Sequence, residues 1–496
     1  MLKMLLVDPS PYTTNYGLRS LSAYLWEHGV EAKMVFLNPD RGSDPQTGRY
    51  TDAVLEDLAA LAEDCDVIGF SVFTNFYFRA AELTEFMKKR FPEKPVVWGG
   101  IHATVSPASS IKYADVVCLG EGEETALQLL QEVSQKNLEP RIPGTWVKTK
   151  DGVMKNEPRQ LEENLDSYPY QDYEPSHMYA IKDGRVVQAT ESMLAEMLKL
   201  PPAARVYFKL DAQENWQYLT LTSRGCPYLC AYCCNNAYRK IYAGKGRWLR
   251  TRSVEHVIGE LEDFKRKHGY VNFISFFDDD FLARPNEFIS QFFDAYDERV
   301  HLAFKCNVGA FNVNREKFKR MCDSGLANVE IGLQSGSERV HKQVYFRPFL
   351  PAKFLEVARI MAEFPRVTKY YDVILDNPYE TEEDLAKTIE FLAQIPKPFH
   401  LSCFSLTFFP GTALYDRAVA DGLIDPENLK PISDKKNNAL YLNDAYGKIL
   451  VLAAGKADPK LAPLFAAAGN PFFLKAFSTP LFQPVFKKIL GIALKR

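Results

Sequence analysis

The first 160 residues alternate between short apolar runs and longer amphipathic stretches. The amphipathic stretches place apolar residues at helical spacing, as in GLRSLSAYLWEHG (17–29) and FRAAELTEFMKKRF (78–91). The apolar runs are nearly continuous, which is typical of strands buried on both faces of a parallel sheet. Five runs predict such strands: KMLLVD (3–8), EAKMVFL (31–37), DVIGFSV (66–72), PVVWGG (95–100) and ADVVCLG (114–120). We therefore predict an α/β domain over residues 1–160, closed by a hairpin at GTWVKTKDGVMKN with its Asp-Gly turn.

Small and polar residues follow these predicted strands. Open parallel sheets bind ligands at the carboxyl ends of their strands, so residues in SVFTNF, GGIHAT and GEGEET are candidate ligand contacts. Glu121 and Glu123 also suit the N-terminus of the following helix through its dipole, and this alternative stays open. The candidates are Ser71, Asn75, Gly99, Gly100, Gly120, Glu121, Gly122 and Glu123.

The alternation resumes at residue 217. The preceding stretch, 161–215, is rich in proline and tyrosine without a steady period, and we predict a linker with irregular structure. Six β/α units over 216–425 predict a partial barrel with its chemistry on the loops after the strands, and 426–496 is predicted to be mostly helical. The six strand candidates are QYLTLTS (217–223), VNFISFF (271–277), HLAFKCN (301–307), NVEIGLQ (328–334), KYYDVIL (369–375) and HLSCFSLTF (400–408).

Composition and charge exclude several classes of protein. Hydrophobic residues make up 46% of the chain and charged residues 25%, as in soluble globular proteins. The formal net charge of -3 gives no electrostatic case for a nucleic-acid partner. No apolar run is long enough to span a bilayer, and MLKMLLVDPS is interpreted as a first strand rather than a leader. We expect a cytoplasmic protein.

The cysteines are concentrated in one segment. Cys226, Cys230 and Cys233 lie in CPYLCAYC, the loop predicted to follow the first barrel strand. A structural zinc site usually takes four ligands in two pairs, and no second pair follows at a suitable distance. Three thiolates suit a four-iron cluster that leaves one iron open. Zinc and disulfide sites remain alternatives, although the odd total of nine cysteines fits a reducing compartment better.

CPYLCAYC resembles the CxxxCxxC loop of the radical S-adenosylmethionine (SAM) enzymes, and the resemblance extends over about residues 215–420. It implies a [4Fe-4S] cluster held by Cys226, Cys230 and Cys233, with the amino and carboxylate groups of SAM on the open iron. It leaves Cys234 as an incidental or supporting residue.

Three further segments resemble the same family. FFDDDF (276–281) follows the second predicted barrel strand, where the family binds the methionine amino group. IGLQSGSERV (331–340) matches the segment that contacts the ribose, and FFPGTALYDRA (408–418) is similar to a Pro-Gly-Thr segment of one branch. A solvated turn at the aspartates and a capping role for Gln334 and Ser335 are the alternatives. The SAM contacts that the resemblance implies are Tyr232, Asp278, Asp279, Asp280, Gln334 and Ser335.

In that branch a Rossmann-like domain that holds cobalamin precedes the barrel. YGLRSLSAYLWEHG, PVVWGGIHATVSP and VVCLGEGEETALQLL look like this domain over most of residues 1–140. The resemblance assigns the eight strand-end candidates to cobalamin. No Asp-x-His-x-x-Gly segment, whose histidine would coordinate cobalt, is present, and we expect His102 to be a hydrogen-bonding loop residue. The implied fold is a Rossmann-like parallel sheet, then a partial (β/α)6 TIM-like radical SAM barrel with a mostly helical C-terminal segment.

The resemblance implies a cobalamin-dependent radical SAM enzyme that methylates an unactivated carbon. Two alternatives remain: an oxidative cyclase, ring-rearranging or carbon–carbon coupling enzyme of the same branch, and a non-catalytic iron–sulfur or corrinoid-binding module. The expected partners are a small-molecule or lipid-like substrate and a flavodoxin- or ferredoxin-type electron donor.

The C-terminal segment of the chain is basic. Its final 26 residues contain five basic residues and no acid. Such a segment suits contact with an anionic membrane surface. The other interpretation is a helix packed over the open side of the barrel.

Overall fold

The computed structural model describes residues 1–44, 48–200, 214–348, 350–433 and 444–493, which form two compact units. The first unit comprises Met1–Lys199, Cys233–Ser253 and Phe408–Lys435. The second comprises Leu200–Tyr232, Val254–Thr407 and Lys436–Arg496. The predicted barrel segment, 216–425, is therefore divided, because residues 233–253 and 408–425 belong to the first unit.

The first unit is built on a nine-stranded sheet in the order β7-β6-β5-β4-β3-β1-β2-β8-β9. The five predicted strands form β1 to β5, all parallel, and the predicted hairpin forms the antiparallel β6 and β7. The strands are β1 (Lys3–Asp8), β2 (Glu31–Phe36), β3 (Val67–Ser71), β4 (Val96–Gly99), β5 (Val116–Cys118), β6 (Thr145–Thr149), β7 (Gly152–Lys155), β8 (Met178–Lys182) and β9 (Arg185–Gln188).

Helices cover this sheet, and buried side chains such as Val7, Phe70 and Trp98 form the core. Asn15 and Thr51 cap two of the helices, because their side chains accept from the backbone N–H groups of Leu18 and Val54. The α-helices of this unit are Tyr16–Glu27, Pro39–Gly42, Asp52–Ala62, Tyr77–Arg90, Ile101–Val105, Pro107–Ser110, Glu123–Ser134, Glu191–Leu198, Cys234–Ile241, Ala413–Ala420 and Lys430–Ser433. Short 3₁₀ turns lie at Thr74–Phe76, Leu165–Ser167 and Pro175–His177.

The linker prediction for 161–215 is wrong in its middle. β8 pairs parallel with β2 and β9 returns antiparallel to it, so this segment extends the first sheet. The turn between them, Asp183-Gly184, takes positive φ at both residues, as a tight two-residue hairpin requires. Residues 201–213 of the predicted linker lie outside the described residues.

The second unit contains a six-stranded parallel sheet whose strands follow chain order, which is the partial (β/α)6 barrel that the sequence predicts. Two-residue strands, β11 (Ser223–Arg224) in this unit and β12 (Arg250–Thr251) in the first, lie outside the two large sheets. The barrel strands are β10 (Gln217–Thr220), β13 (Phe273–Phe276), β14 (Ala303–Asn307), β15 (Leu326–Gln334), β16 (Thr368–Leu375) and β17 (His400–Ser405).

Helices lie on the outer face of the barrel sheet. The Phe304 ring lies 5.6 Å from that of Phe293, and the Tyr371 ring 4.9 Å from that of Phe354, so these strand residues face the helix layer. Because side chains alternate along a strand, Lys305 and Asp372 face inward. The helices between the strands are Val254–Lys267, Asn286–Arg299, Arg315–Asp323, Glu338–Gln343, Pro351–Ala362 and Glu382–Gln394.

The described part of the C-terminal segment is mostly helical, as predicted. Pro471–Phe477 packs on Glu382–Gln394, and Gln483–Ala493 packs on Ala445–Lys456. The segment also contains Ala462–Ala468 and a 3₁₀ turn at Pro459–Leu461.

Candidate functional site

The cysteine loop begins directly after the first barrel strands. Cys226 and Cys230 are buried in the second unit, whereas Cys233 is partly buried and is the N-cap residue of helix Cys234–Ile241. None of the nine cysteines, all of which lie in the described ranges, forms a disulfide, which contradicts the disulfide alternative. Within the part of the chain that the structure describes, no three His, Cys, Asp or Glu side chains form a group that could hold a metal ion.

Asp278 supports the start of this loop. It accepts hydrogen bonds from the backbone N–H of Thr222 at 3.1 Å and from the hydroxyls of Thr222 at 3.0 Å and Ser223 at 2.6 Å. The Arg284 guanidinium forms a salt bridge with the same carboxylate, and both side chains are at most 2% exposed. The residues just before the cysteines are therefore held by a buried ion pair.

Asp280 supports the middle of the loop. It accepts from the Tyr228 hydroxyl at 2.8 Å and from Asn312 Nδ2 at 2.7 Å, and Tyr228 lies between the first two cysteines. Burial raises the pKa of Asp280, while these hydrogen bonds oppose the rise. Asp279, between the two buried aspartates, points to solvent.

Tyr232 lies just before the third cysteine and is held on two sides. Its hydroxyl accepts from Arg347 Nη1 at 2.5 Å, and its ring meets that of Tyr345 edge-on at 4.9 Å. The Ala231 N–H donates to the Tyr345 carbonyl at 2.8 Å. The orientation of Tyr232 is thus fixed by the segment that follows β15.

Gln334 ends β15 in a left-handed conformation, with φ at 70°. Its amide side chain folds over Gly332, where an added Cβ would come within 2.3 Å of Gln334 Nε2. Its Oε1 is buried and has no hydrogen-bond partner among the described residues. A buried amide oxygen without a donor costs free energy, so this atom is suited to accept a hydrogen bond from a ligand.

Ser335, the next residue, is fully buried, and its hydroxyl forms hydrogen bonds within the protein. Its hydroxyl donates to Glu380 at 2.9 Å and accepts from the Ser337 N–H at 3.2 Å. Burial raises the pKa of Glu380 to about 8. This geometry fits the capping alternative better than contact with the ribose.

Charged side chains line the inner face of the barrel. Lys305 on β14, Glu330 on β15 and Asp372 on β16 point inward, and Lys305 Nζ lies 4.2 Å from the centroid of the Phe277 ring. Burial lowers the pKa of Lys305, and the Glu330 carboxylate opposes this effect. Burial and the same carboxylate raise the pKa of Asp372 well above its ordinary range. Asp372 Oδ1 is buried without a partner among the described residues, although Ser402 hydrogen-bonds to this carboxyl group.

In the first unit, polar residues meet where β1 and β3 end. Asn15 Nδ2 donates to Asp8 Oδ2 at 2.8 Å and to Ser71 Oγ at 3.1 Å. Burial raises the pKa of Asp8 to about 6. Ser71 is thus joined to the loop after β1, and Asn75 lies partly buried in the 3₁₀ turn after β3.

Two of the four candidate glycines are required by close packing. Gly100 has φ at 88°, and an added Cβ would lie 3.0 Å from the Val72 backbone nitrogen. Gly120 has φ at 76° and lies against the Tyr242 hydroxyl, which a Cβ would overlap. Gly99 and Gly122 differ, because a Cβ there would meet only Cys118 atoms at 3.8 Å.

The two candidate glutamates also bond within the first unit. Glu121 forms a salt bridge with the buried Arg250, and its N–H donates to the Tyr242 hydroxyl at 2.9 Å. Glu123 begins helix Glu123–Ser134 and accepts from Ser20 at 3.0 Å. These contacts favour the structural interpretation for both residues.

Two family models match the chain in sequence order. The B12 binding domain matches residues 2–130, and the Radical SAM superfamily matches residues 220–392. The chain belongs to the radical SAM enzymes that carry a B12-binding domain. The cysteine loop, the partial barrel and the preceding parallel sheet are the parts that these two matches cover.

Individual proteins agree with this assignment. An uncharacterized methyltransferase of Pyrococcus horikoshii is 25% identical over 382 residues, which cover 76% of this chain and 75% of that protein. Cytidylyl-2-hydroxyethylphosphonate methyltransferase of Streptomyces wedmorensis is 23% identical over 467 residues, which cover 86% of this chain and 83% of that protein. The solved structure of the radical SAM methyltransferase TsrM from Kitasatospora setae, with cobalamin and a [4Fe-4S] cluster bound, has the same fold. It matches with a TM-score of 0.63 at 18% identity, over 85% of this chain and 78% of that one.

The residues of this radical SAM enzyme fit the family's cofactors unevenly. Cys226, Cys230 and Cys233 form no disulfide and follow the CxxxCxxC spacing, and three thiolates are the donor set that a four-iron cluster with an open iron requires. Gln334 Oε1 is buried without a hydrogen-bond partner among the described residues, so this atom suits a ligand donor such as a nucleoside hydroxyl or amino group. Asp278 and Asp280 conflict with the prediction that they bind the methionine amino group, because protein donors already surround their carboxylates. Of the predicted SAM contacts, Tyr232, Asp279 and Gln334 stay predictions.

The structure also distinguishes among the four glycines that are predicted to contact cobalamin. A Cβ at Gly99 or Gly122 would meet only Cys118 at ordinary contact distance, so both glycines stay predicted corrin contacts, whereas the space at Gly100 and Gly120 is taken by neighbouring protein atoms. The Pro-Gly-Thr segment also has a packing role: Gly411 contacts the Val105 carbonyl, and Thr412 caps helix Ala413–Ala420.

No helix in the described ranges is both long and apolar enough to cross a bilayer.

His102 makes hydrogen bonds, as the sequence predicts, but it lies in the short helix Ile101–Val105 and not in a loop. It is fully buried, with Nδ1 3.2 Å from Thr74 Oγ1 and Nε2 2.9 Å from Ser109 Oγ. Burial lowers the pKa of His102 from 6.5 to about 4. Neither ring nitrogen is directed at an open surface.

We expect this histidine to make the first unit sensitive to acid. In the unfolded chain His102 takes up a proton below about pH 6.5, whereas in the folded chain it does so only below about pH 4. The free energy of unfolding therefore decreases as the pH falls from about 6.5 to about 4. The loss reaches about 3 kcal/mol in the free energy of unfolding. Denaturation at several pH values should show a flatter profile for His102→Gln. The exposed His28→Gln is the control, and an equally steep profile in His102→Gln would contradict this assignment.

Proposed function

We propose that this chain is a cobalamin-dependent radical SAM methyltransferase that methylates an unactivated carbon of a small-molecule substrate. The observation that carries the proposal is the order of a B12 binding domain and a radical SAM barrel in one chain, with three cysteines at CxxxCxxC spacing after the first barrel strands. The names of the two curated relatives support methyl transfer over other radical reactions.

The cofactors supply the reactivity: a reduced cluster cleaves SAM to a carbon radical, and cobalamin carries the methyl group. The protein holds and orients them. Cys226, Cys230 and Cys233 ligate the cluster, while Asp278 and Asp280 fix the loop that bears them. Tyr232 and Gln334 contact the nucleoside of SAM. The electron comes from a flavodoxin- or ferredoxin-type donor.

Methyl transfer leaves a product that needs no knowledge of the substrate. The protein is reconstituted anaerobically with iron, sulfide and hydroxocobalamin and given SAM and a strong reductant. We expect S-adenosylhomocysteine that depends on added cobalamin, together with 5′-deoxyadenosine. Formation of 5′-deoxyadenosine alone would favour a cyclase, rearrangement or coupling enzyme, and the absence of both products would favour a non-catalytic module.

The inner face of the barrel favours a polar substrate over a lipid-like one. Lys305 supplies a positive charge above Phe277, and Glu330 and Asp372 supply hydrogen-bonding carboxyl groups, with one Asp372 oxygen unpartnered among the described residues. We propose a substrate that carries an anionic group, a carboxylate or phosphonate, because Lys305 offers such a group a positive charge on this inner face.

A substrate screen tests this assignment. Carboxylates and phosphonates are compared with their uncharged esters for a mass gain of one methylene group. We expect turnover of an anionic member, and a loss of about tenfold or more in Lys305→Met, since hydrogen bonds to charged groups contribute about 1.5–3 kcal/mol. The exposed Lys319→Met is the control. Preferential turnover of the esters would contradict the proposed substrate class.

A further inference from the structure

Large apolar side chains are exposed along the C-terminal helices. Eight of the eighteen most exposed large hydrophobic residues in the described chain lie between residues 461 and 489. Phe472 is 72% exposed and Leu481 78% exposed. We name these eight the C-terminal apolar surface: Leu461, Leu464, Phe472, Phe473, Leu481, Phe482, Val485 and Ile489.

These side chains are distinct from the ones that hold the helices in place. The rings of Phe477 and Phe486 lie 4.7 Å and 4.9 Å from that of Tyr446, and Leu474 and Leu490 are buried. The same short helices thus have an inner face that packs on the protein and an outer face that does not. Soluble proteins rarely leave so many large apolar side chains exposed together without a binding partner.

The charge around this surface selects among partners. Lys460, Lys475, Lys487 and Lys488 accompany the apolar residues, and the sequence contains no aspartate or glutamate from residue 459 onward. A symmetric contact with a second copy would bring these lysines against their own counterparts, which is unfavourable. An anionic lipid surface accepts both the apolar side chains and the lysines.

We propose that the C-terminal apolar surface binds the protein peripherally to an anionic lipid bilayer. The helices Pro471–Phe477 and Gln483–Ala493 lie in the plane of the interface, with the aromatic and aliphatic side chains among the lipid chains and the lysines at the headgroups. This binding needs no helix that crosses the bilayer. It is independent of the reaction that the barrel performs.

Vesicle sedimentation with the full-length, reconstituted protein tests this proposal. The vesicles contain phosphatidylcholine alone or with one quarter phosphatidylglycerol. We expect at least about tenfold more binding to the anionic vesicles at low salt, and a loss of binding as salt rises, because basic residues near an anionic surface each contribute about fivefold at physiological ionic strength. Equal binding to both vesicles, or none, would overturn the proposal.

Two variants and a control locate the contact. Lys475→Glu with Lys487→Glu and Lys488→Glu should lower binding to anionic vesicles at least about tenfold. Phe472→Ser with Leu481→Ser and Val485→Ser should do so as well. Leu138→Ser with Leu423→Ser removes exposed apolar residues elsewhere and should leave binding unchanged. Iron content and thermal midpoint report whether each variant folds.

The remaining outcomes contradict the proposal. Wild-type binding in both triple variants would place the contact elsewhere on the protein. A dimer that forms with rising concentration and is lost in the serine variant, without vesicle binding, would assign the surface to a second copy of the chain.

Discussion

Replacement of Cys230 with alanine is expected to abolish the iron–sulfur cluster. The wild-type protein, reconstituted anaerobically, should contain about four iron ions per chain, and the variant about one or fewer, because each cluster iron other than the open one needs a thiolate. Cys226→Ala and Cys233→Ala should behave in the same way. Iron and sulfide analysis and the visible absorption spectrum measure the effect.

Cys234→Ala is the matched control for these variants. Cys234 is adjacent to Cys233 and is also partly buried, but it lies outside the CxxxCxxC spacing. We expect the Cys234→Ala variant to retain the iron content of the wild type. Full iron content in Cys230→Ala, or loss of iron in Cys234→Ala, would mean that Cys226, Cys230 and Cys233 are not the three ligands.

Asp278→Asn is expected to destabilise the barrel more than any neighbouring substitution. The variant keeps the shape of the side chain but leaves the Arg284 guanidinium buried without its counter-charge. Loss of one partner from such a pair costs about 3–5 kcal/mol. Denaturation of the cluster-free protein measures this change. The cysteine loop should also take up less iron, because Thr222 and Ser223 then donate to a neutral amide oxygen in place of a carboxylate.

Asp279→Asn provides the comparison one residue away. Asp279 is exposed, so its substitution should change the free energy of unfolding by no more than about 1 kcal/mol. If the two variants were equally stable, the buried ion pair would not be what holds the loop.

The strands were predictable because their burial leaves a local signal. KYYDVIL at 369–375 and KMLLVD at 3–8 correspond to β16 and β1 within one residue, since strands covered on both faces are nearly continuous apolar runs. β8 and β9 lack this signal. They lie at the edge of the sheet, where β9 is largely exposed. The local sequence signal for this hairpin is its Asp183-Gly184 turn.

The site was predictable to the extent that it is local in sequence. The cysteine spacing and three further short segments indicated the family that the domain matches confirm. The roles of the carboxylates were not local: Asp278 bonds Thr222, which lies 56 residues earlier, and Asp280 bonds Tyr228, 52 residues earlier. A run of three aspartates does not reveal which of them face protein donors.

The glycines illustrate the same limit. Gly120 is required by Tyr242, more than a hundred residues later in the chain, and nothing in GEGEET indicates that partner. Gly99 lies directly before Gly100, and yet a Cβ there would meet only Cys118 at 3.8 Å, an ordinary contact distance. The sequence marks where chains approach closely, and the fold decides whether the neighbour is a ligand or the protein itself.

The central claim is that three thiolates hold a cluster whose open iron binds and cleaves SAM. Its most direct test is the amount of 5′-deoxyadenosine that the anaerobically reconstituted protein forms from SAM under a strong reductant. The account predicts 5′-deoxyadenosine from the wild type and from Cys234→Ala, and none from Cys230→Ala. Wild-type protein that holds about four iron ions per chain and leaves SAM intact would contradict it.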